Sequence, residues 1–435
     1  KGMTKGVSQG KAKHHAREVL RRLVLETGGD RCLSCGACVV GCPVSDWSDE
    51  RLDPRRLVRL IQNGLGDLIV EMDWIWQCTE CGRCNYTCPA GVDLATLITR
   101  ARGLVPRDLS PGQIQKTADL HRELSNNMGL EVEDWLETVE WMGHELSEEI
   151  TGLEVPVEKQ GAEYFATINS KLPMYYPADL QDIFKIFHAA GVDWTLADKW
   201  WEGTNYAMFT DDGETWEATL RRQAEKVEQL GCRKVAYTEC GHGYYATMAG
   251  YKRFGMEPRF EVFHVVELYA RWIREGRLKL DPSRNPRRIT LHDPCNAVRK
   301  ASMAGFASIA EDARFVLNRV CEEVVEMTPN RDANYCCSGG GGALLAGFKP
   351  DISSPHPEAV QKALFVARHL QERARALQTP SERRQQAELD RMLQTPSDKA
   401  TLALMTDQAF RTSDAERAVE HLTYILDVQG VPRFF

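Results

Sequence analysis

Apolar positions at helical spacing dominate the first third of the chain. Residues 16–26 predict one helix. A second is predicted over 54–69, with Leu57, Leu60 and Ile61 on one side and a break at Asn63-Gly64, and a third over 94–104. Residues 106–158 keep a helical period among many acids and read as a helical bridge, where Trp135 and Trp141 read as core or interface aromatics. From Gly161 the pattern changes. Short apolar runs at 163–168, 234–238, 261–264, 288–291 and 323–327 predict strands, alternating with helices over 178–190, 215–230, 266–275 and 306–320. The first of these helices carries Leu180, Ile183, Phe184 and Phe187 on one face and stops at Gly191. Such alternation is that of an α/β domain with a mostly parallel sheet. From about Pro357 the pattern is helical again. Two starts, Thr379-Pro380-Ser381-Glu382 and Thr395-Pro396-Ser397-Asp398, each place threonine at the N-cap, proline next and an acid in the first turn. The fold class is α + α/β: an all-helical domain, an α/β domain and a helical tail.

Eight of the fourteen cysteines fall in two matching runs. Cys32, Cys35, Cys38 and Cys42-Pro43 form one; Cys78, Cys81, Cys84 and Cys88-Pro89 form the other. Both read C-x2-C-x2-C-x3-C-P, the bacterial ferredoxin spacing for cubane [4Fe–4S] clusters. Three thiolates on a tight loop take three corners of a cube, and the fourth, held off by proline, reaches the other cluster. This assigns Cys32, Cys35, Cys38 and Cys88 to one cluster, and Cys78, Cys81, Cys84 and Cys42 to the other. Zinc also takes four thiolates, but two complete copies with trailing prolines argue against it. Gly36 and Gly82 suit a backbone wrapped round a cluster. The helical spacing between the runs predicts an all-helical ferredoxin domain.

A second constellation lies in the α/β region. Cys295 follows a predicted strand in His292-Asp293-Pro294-Cys295, Cys240 sits at another strand end, and Cys336-Cys337 precede Gly339 to Gly342. Loops at the carboxyl ends of strands converge on one rim, so these four can meet around a metal. The glycines are no P-loop, because the lysine and hydroxyl residue are absent. A strained vicinal disulfide or structural thiols are the other readings. Cys232 and Cys321 read as buried apolar thiols. His242 and His292 read as structural, with donation to a cluster the alternative. A weak internal repeat of strand, helix, strand and loop places Trp200-Trp201 in the first half where the second has its cysteine pair. The first half then reads as a copy whose metal site is filled with aromatic bulk.

A net charge of −8 argues against nucleic acid as partner. No apolar run approaches the ~20 residues that span a bilayer, so membrane attachment has to come through another chain. The basic start, Lys1 to Arg22, reads as a solvated arm and helix face. Free thiols and clusters imply the cytoplasm, with a peripheral place on the membrane's cytoplasmic face as the variant. The expected divisions are a basic arm (1–27), a ferredoxin domain (28–105), a helical bridge (106–160), a degenerate first half (161–287), a second half (288–347) and a tail (348–435).

The ferredoxin pair followed by His-Asp-Pro-Cys and Cys-Cys-x-Gly-Gly-Gly-Gly resembles the CCG-domain iron–sulfur proteins, which include the D-type subunits of heterodisulfide reductases and DsrK-type subunits. That resemblance implies an electron-transfer subunit of a respiratory oxidoreductase. Two cubane clusters would pass electrons to or from a CCG site able to hold a third, non-cubane [4Fe–4S] cluster. A membrane cytochrome b or a flavoprotein dehydrogenase would be the partner. Cys295, Cys336 and Cys337 match the second CCG motif by position, and Cys240 falls where the first module ends in C-x2-C. Two departures stand out: Trp200-Trp201 replace one cysteine pair, and the closing C-x2-C of the second module is missing. The tail from Ala403 resembles the leading segment of PutA-type proline dehydrogenases, with a plain helical extension as the alternative. Three functions follow: an electron relay, a thiol–disulfide (heterodisulfide) reductase, and a module linked to proline dehydrogenase.

Overall fold

Asp53 and Asp93 show how local sequence fixes the helices around the cysteine loops. Asp53 caps Pro54–Gln62 by accepting from the Arg56 N–H at 3.1 Å, and Pro54 takes the first helical position. Asp93 caps Leu94–Arg102 through the Thr96 N–H at 3.1 Å. The computed structural model describes residues 3–42, 44–45, 52–238, 241–286, 288–336, 340–343 and 345–346, with side chains from residue 14. Helix α1 (Met3–Glu26) is followed by α2 (Ala37–Gly41), α3 (Pro54–Gln62), α4 (Arg83–Thr87) and α5 (Leu94–Arg102). Leu20, Leu23 and Val24 of α1 enter the same core as Leu57, Ile61, Trp74, Leu97 and Ile98, so the second half of α1 belongs to this helical unit. The helix predicted over 54–69 ends at Gln62, where Gly64 (φ +73°) turns the chain, and continues as a 3-10 segment, Gly66–Glu71.

Within the stretch expected to be a helical bridge, the chain forms α6 (Gly112–Leu124) and α7 (Val132–Glu149). Trp135 is fully buried, whereas Trp141 is 57 % exposed and outside the core. Next come β1 (Tyr164–Thr167), α8 (Lys171–Tyr175), α9 (Pro177–Ala189), β2 (Trp194–Thr195), α10 (Gly213–Gln229), β3 (Lys234–Tyr237), α11 (Gly241–Phe254), β4 (Glu261–His264) and α12 (Val265–Arg274). The four strands form a parallel sheet in the order β2-β1-β3-β4. Burial of Phe165, Ala166, Val235 and Ala236 between helices explains why these strands read as unbroken apolar runs. Helix α11 and strand β2 lack a sequence signal: α11 buries small and polar residues (Gly243, Ala246, Thr247, Gly250), and β2 is two residues long.

Among the described residues the α/β region holds two sheets, where the sequence predicts one. The second is a parallel pair, β5 (Arg288–Thr290) with β6 (Glu323–Val325), in which Arg288 faces Glu323. A π-turn, Asn296–Lys300, runs into α13 (Ala301–Ala304). Gly305 then turns the chain at φ +78°, and α14 (Ala310–Val320) begins at Ala310 instead of Phe306. The tail beyond residue 346 lies outside the described residues.

Candidate metal centres

The two cysteine runs adopt one backbone twice. Cys32 and Cys78 are extended, at φ −61° and −64°. Ser34 and Glu80, both two residues on, take the left-handed region at +55° and +51°. Gly36 and Gly82 follow at +84° and +71°, each capping a five-residue helix. Cys42 and Cys88 close those helices, donating to Val39 O and Asn85 O. Left-handed non-glycine residues cost about 1–3 kcal/mol each unless their surroundings hold them, so the repeated strain marks a loop shaped for a purpose.

The thiols gather across the two runs. The Cys38 thiol is pushed up to about 11, first by burial, then by Asp53 and by the sulfurs of Cys32 and Cys88 beside it. Burial raises Cys78 to about 12, against the Arg102 guanidinium, with Glu80 and Cys42 adding to the rise. Cys84 is held well above the usual thiol range by burial and then by Cys78, Cys81, Cys42 and Cys38. Cys42 is raised mainly by burial, and Cys81 is its cysteine neighbour. The sulfurs therefore fall into a Cys32/Cys38/Cys88 group and a Cys78/Cys81/Cys84/Cys42 group that adjoin. Cys35, exposed, lines one cavity with Cys32, Cys38 and Cys88. Thiols massed in this way cannot ionise together without a compensating cation; metal coordination supplies one and deprotonates the ligand. Backbone N–H groups already point at sulfur, from Glu80 to Cys78 at 3.3 Å and from Val92 to Cys88 at 3.4 Å. The donor set and its burial fit iron–sulfur clusters.

The loop carrying Cys336 packs against the second run. Thr79 Oγ1 is 3.3 Å from Cys336 Sγ, and the Cys336 sulfur shares a hydrogen bond with that of Cys81, which raises Cys81 strongly. Gly341 lies so close that a Cβ would come within 2.4 Å of the Thr79 carbonyl carbon, and its φ is +71°. Cys295 precedes the π-turn and is half-buried. His292 Nε2 meets Tyr335 O at 3.0 Å, and Asn334 Nδ2 donates to Asp293 O at 3.0 Å, joining the Cys295 and Cys336 loops. Asp293 is itself locked by Arg314 in a two-pronged pair at 2.8 and 2.9 Å. A Cβ on Gly241 would touch Ala297 Cβ at 3.1 Å, which brings the start of α11 alongside the turn after Cys295. Cys240 and Cys337 lie outside the described residues.

Three arginines that carry no local sequence signal complete the setting. Arg102, wholly buried, donates to Ile75 O, Cys78 O, Phe209 O and Gly341 O and pairs with Glu80 at 2.8 Å. Arg299 donates to Cys81 O, Asp332 O and Asn334 O. Arg83 donates to Ala333 O and Asn334 O and lies 4.0 Å from the Tyr335 ring centre. Each joins segments far apart in sequence, and no local pattern announces that.

In the first half, Trp201 is 1 % exposed and stacks on Trp135 at 4.4 Å, a contact worth about 0.5–1.5 kcal/mol beyond burial. Trp200 is half-buried in the left-handed region at φ +61°. His242 is buried beside Asn205, its Nε2 within 3.2 Å of the Asn205 N–H. Burial, then Lys300, depresses it to about 3, so it is neutral near pH 7. Cys232 and Cys321 are buried, and Asn285 Nδ2 donates to Cys321 Sγ at 3.0 Å.

Comparison with known proteins agrees with this setting. Residues 31–93 match the 4Fe-4S dicluster domain family, which supports two [4Fe–4S] clusters. The chain is similar to the Hdr-like menaquinol oxidoreductase iron-sulfur subunit of Archaeoglobus profundus, at 27 % identity over 62 % of this chain and 55 % of the relative. It is similar to iron-sulfur subunit 2 of the Archaeoglobus fulgidus Hdr-like menaquinol oxidoreductase, at 24 % identity over 78 % and 71 %. It is also similar to a subunit of the dihydromethanophenazine:CoB–CoM heterodisulfide reductase of Methanosarcina mazei, at 25 % identity over 74 % and 80 %. The chain thus spans 55 % of the first of these relatives and more of the other two. No solved structure matches it. Homologues of the chain are therefore iron–sulfur subunits of heterodisulfide-reductase-like complexes. No helix among the described residues is long and apolar enough to cross a membrane.

Proposed function

We propose that the chain is an electron-transfer subunit of a respiratory oxidoreductase, moving single electrons through two cubane clusters to or from the CCG site. The first cluster would be held by Cys32, Cys35, Cys38 and Cys88, the second by Cys78, Cys81, Cys84 and Cys42. The contact that carries this reading is Thr79 Oγ1 at 3.3 Å from Cys336 Sγ, which supports a CCG loop packed directly on the proposed ligand loop of the second cluster. A third, non-cubane cluster on Cys295, Cys336, Cys337 and Cys240 belongs to the second reading, below. The chain's proposed partner is a membrane cytochrome b or a flavoprotein dehydrogenase, met on the cytoplasmic side; the relatives, named as subunits of a menaquinol oxidoreductase and of a heterodisulfide reductase, support only that the chain works beside other redox subunits. The boundaries proposed are a helical cluster unit over 28–105 completed by the second half of α1, a bridge over 106–160, a first half over 161–287 and a second over 288–347.

Heterodisulfide reduction is the second reading, favoured by the likeness to the Methanosarcina heterodisulfide reductase. Iron and sulfide analysis of the anaerobically purified chain, with paramagnetic resonance, separates the two. About eight irons with cubane signals alone support the relay; about twelve, with an unusual signal in the oxidised state, support the reductase. A chain that binds zinc or no metal overturns both.

A further inference from the structure

We infer that Arg299, seconded by Arg83, is a positioning residue that sets the reduction potential of the second cluster and ties it to the CCG loop. The inference rests on the reading that Cys78, Cys81, Cys84 and Cys42 hold a cluster, and goes beyond it in naming what tunes that cluster. Arg299 is 1 % exposed. Its Nε donates to Cys81 O at 2.9 Å, and its Nη1 to Asp332 O at 3.0 Å and Asn334 O at 2.6 Å. One rigid fork thus grips the second cysteine loop and the approach to Cys336 together. Nη2 is buried and has no hydrogen-bond partner among the described residues.

Arg83 repeats the pattern. It holds Ala333 O and Asn334 O, and its buried Nε is likewise unspent. Neither arginine has an ion-pair partner among the described residues, in contrast to Arg102, whose charge is matched by Glu80 at 2.8 Å. Two buried cations without a carboxylate are costly unless an anion lies beside them. A thiolate-bound cubane is such an anion, and its sulfurs accept hydrogen bonds. When the cluster takes one electron from a reductant such as dithionite, its negative charge grows by one. A fixed cation nearby stabilises the reduced form and raises the potential. Burial acts the other way, disfavouring the added charge. Arg299 and Arg83 offset that penalty at the interior cluster.

The test is a dithionite titration of the full, anaerobically purified chain, followed by paramagnetic resonance. A Cys84→Ser variant identifies the second cluster's signal. Arg299→Gln should keep full iron and sulfide while the reduced-to-oxidised ratio of that cluster falls about tenfold at fixed potential, about 59 mV for one electron. The first cluster should not move. Arg299→Lys, which keeps the charge, should stay near the unsubstituted chain, and Arg83→Gln should shift the same way by less. Full iron with an unmoved second cluster, or an equal shift of both clusters, overturns the inference while leaving the relay intact. Should Arg299→Gln lose iron, Arg83→Gln decides by the same criterion. An unsubstituted chain free of iron overturns the relay and this inference together.

Discussion

The two cysteine loops share spacing, strain and backbone, yet one faces solvent and the other lies inside the molecule. Around the first, Cys35 is exposed, Leu33 is 70 % exposed and Val40 90 %. Around the second, Cys78, Cys81 and Cys84 are all buried, and Thr79, the counterpart of Leu33, touches Cys336. Ser34 in the first becomes Glu80 in the second, where it anchors Arg102. The ligand spacing decides what kind of cluster a loop can hold; the residues between the ligands decide what the loop is joined to. The outer loop leaves its cysteine edge open to solvent, while the inner one is closed over by the rest of this chain.

The largest effect that would break this contrast comes from a ligand. Cys81→Ala should lower iron from about eight to about four per chain, keep the first cluster's signal and also loosen the Cys336 loop. Cys35→Ala should lower iron equally but leave the Cys336 loop as it is. Hydrogen exchange over residues 331–343 distinguishes the two. Arg102→Met comes next. It strands the Glu80 carboxylate, and should cost about 3–5 kcal/mol in urea unfolding of the loaded chain. Arg55 flanks Gly36 in the outer loop and pairs with Asp53 at 2.9 Å with its side chain 40 % exposed. Arg55→Met should cost about 0–1 kcal/mol. Equal costs would mean that the inner loop is no better anchored than the outer. Ferricyanide with a chelator should then strip iron in two phases of similar size, the outer cluster first; a single phase would show that exposure does not separate the clusters.

How much of this is legible in the sequence depends on distance along the chain. The helices around the cysteine loops, the face of α9 and the strands β1, β3 and β4 follow from spacing and apolar runs within a dozen residues. The left-handed turns at Gly36 and Gly82 follow from the glycines themselves. The expectation of aromatic bulk at Trp201 is local, but its stack on Trp135, 66 residues earlier in the sequence, has no local sign. The same holds for the arginines. Arg83 and Arg299 reach segments about 250 and 35 residues away, and a lone arginine in a helix reads as solvated. The one hint for Arg299 is its position four residues after Cys295, in a stretch whose π-turn rotates it inward. Helix α14 starts later than its pattern predicts because Phe306 continues the apolar period while Gly305 forces a turn that the period cannot register.

The smallest expected effect isolates the contrast at a single position of the shared motif. Leu33 and Thr79 each follow the first cysteine of their run, and neither is a ligand. Leu33 projects into solvent, so Leu33→Ser should alter stability by less than about 0.5 kcal/mol and leave both cluster potentials in place. Thr79 sits 3.3 Å from Cys336 Sγ in a buried setting. Thr79→Val keeps the shape but removes the hydroxyl, and should cost about 0.5–1.5 kcal/mol in urea unfolding. It should also disturb the second cluster's resonance spectrum and not the first's, because the lost contact lies between Cys336 and the inner ligand loop. If Leu33→Ser proves the more damaging, the outer loop is packed against something in the loaded chain, and the division into outward and inward loops fails at the place where it is simplest to test.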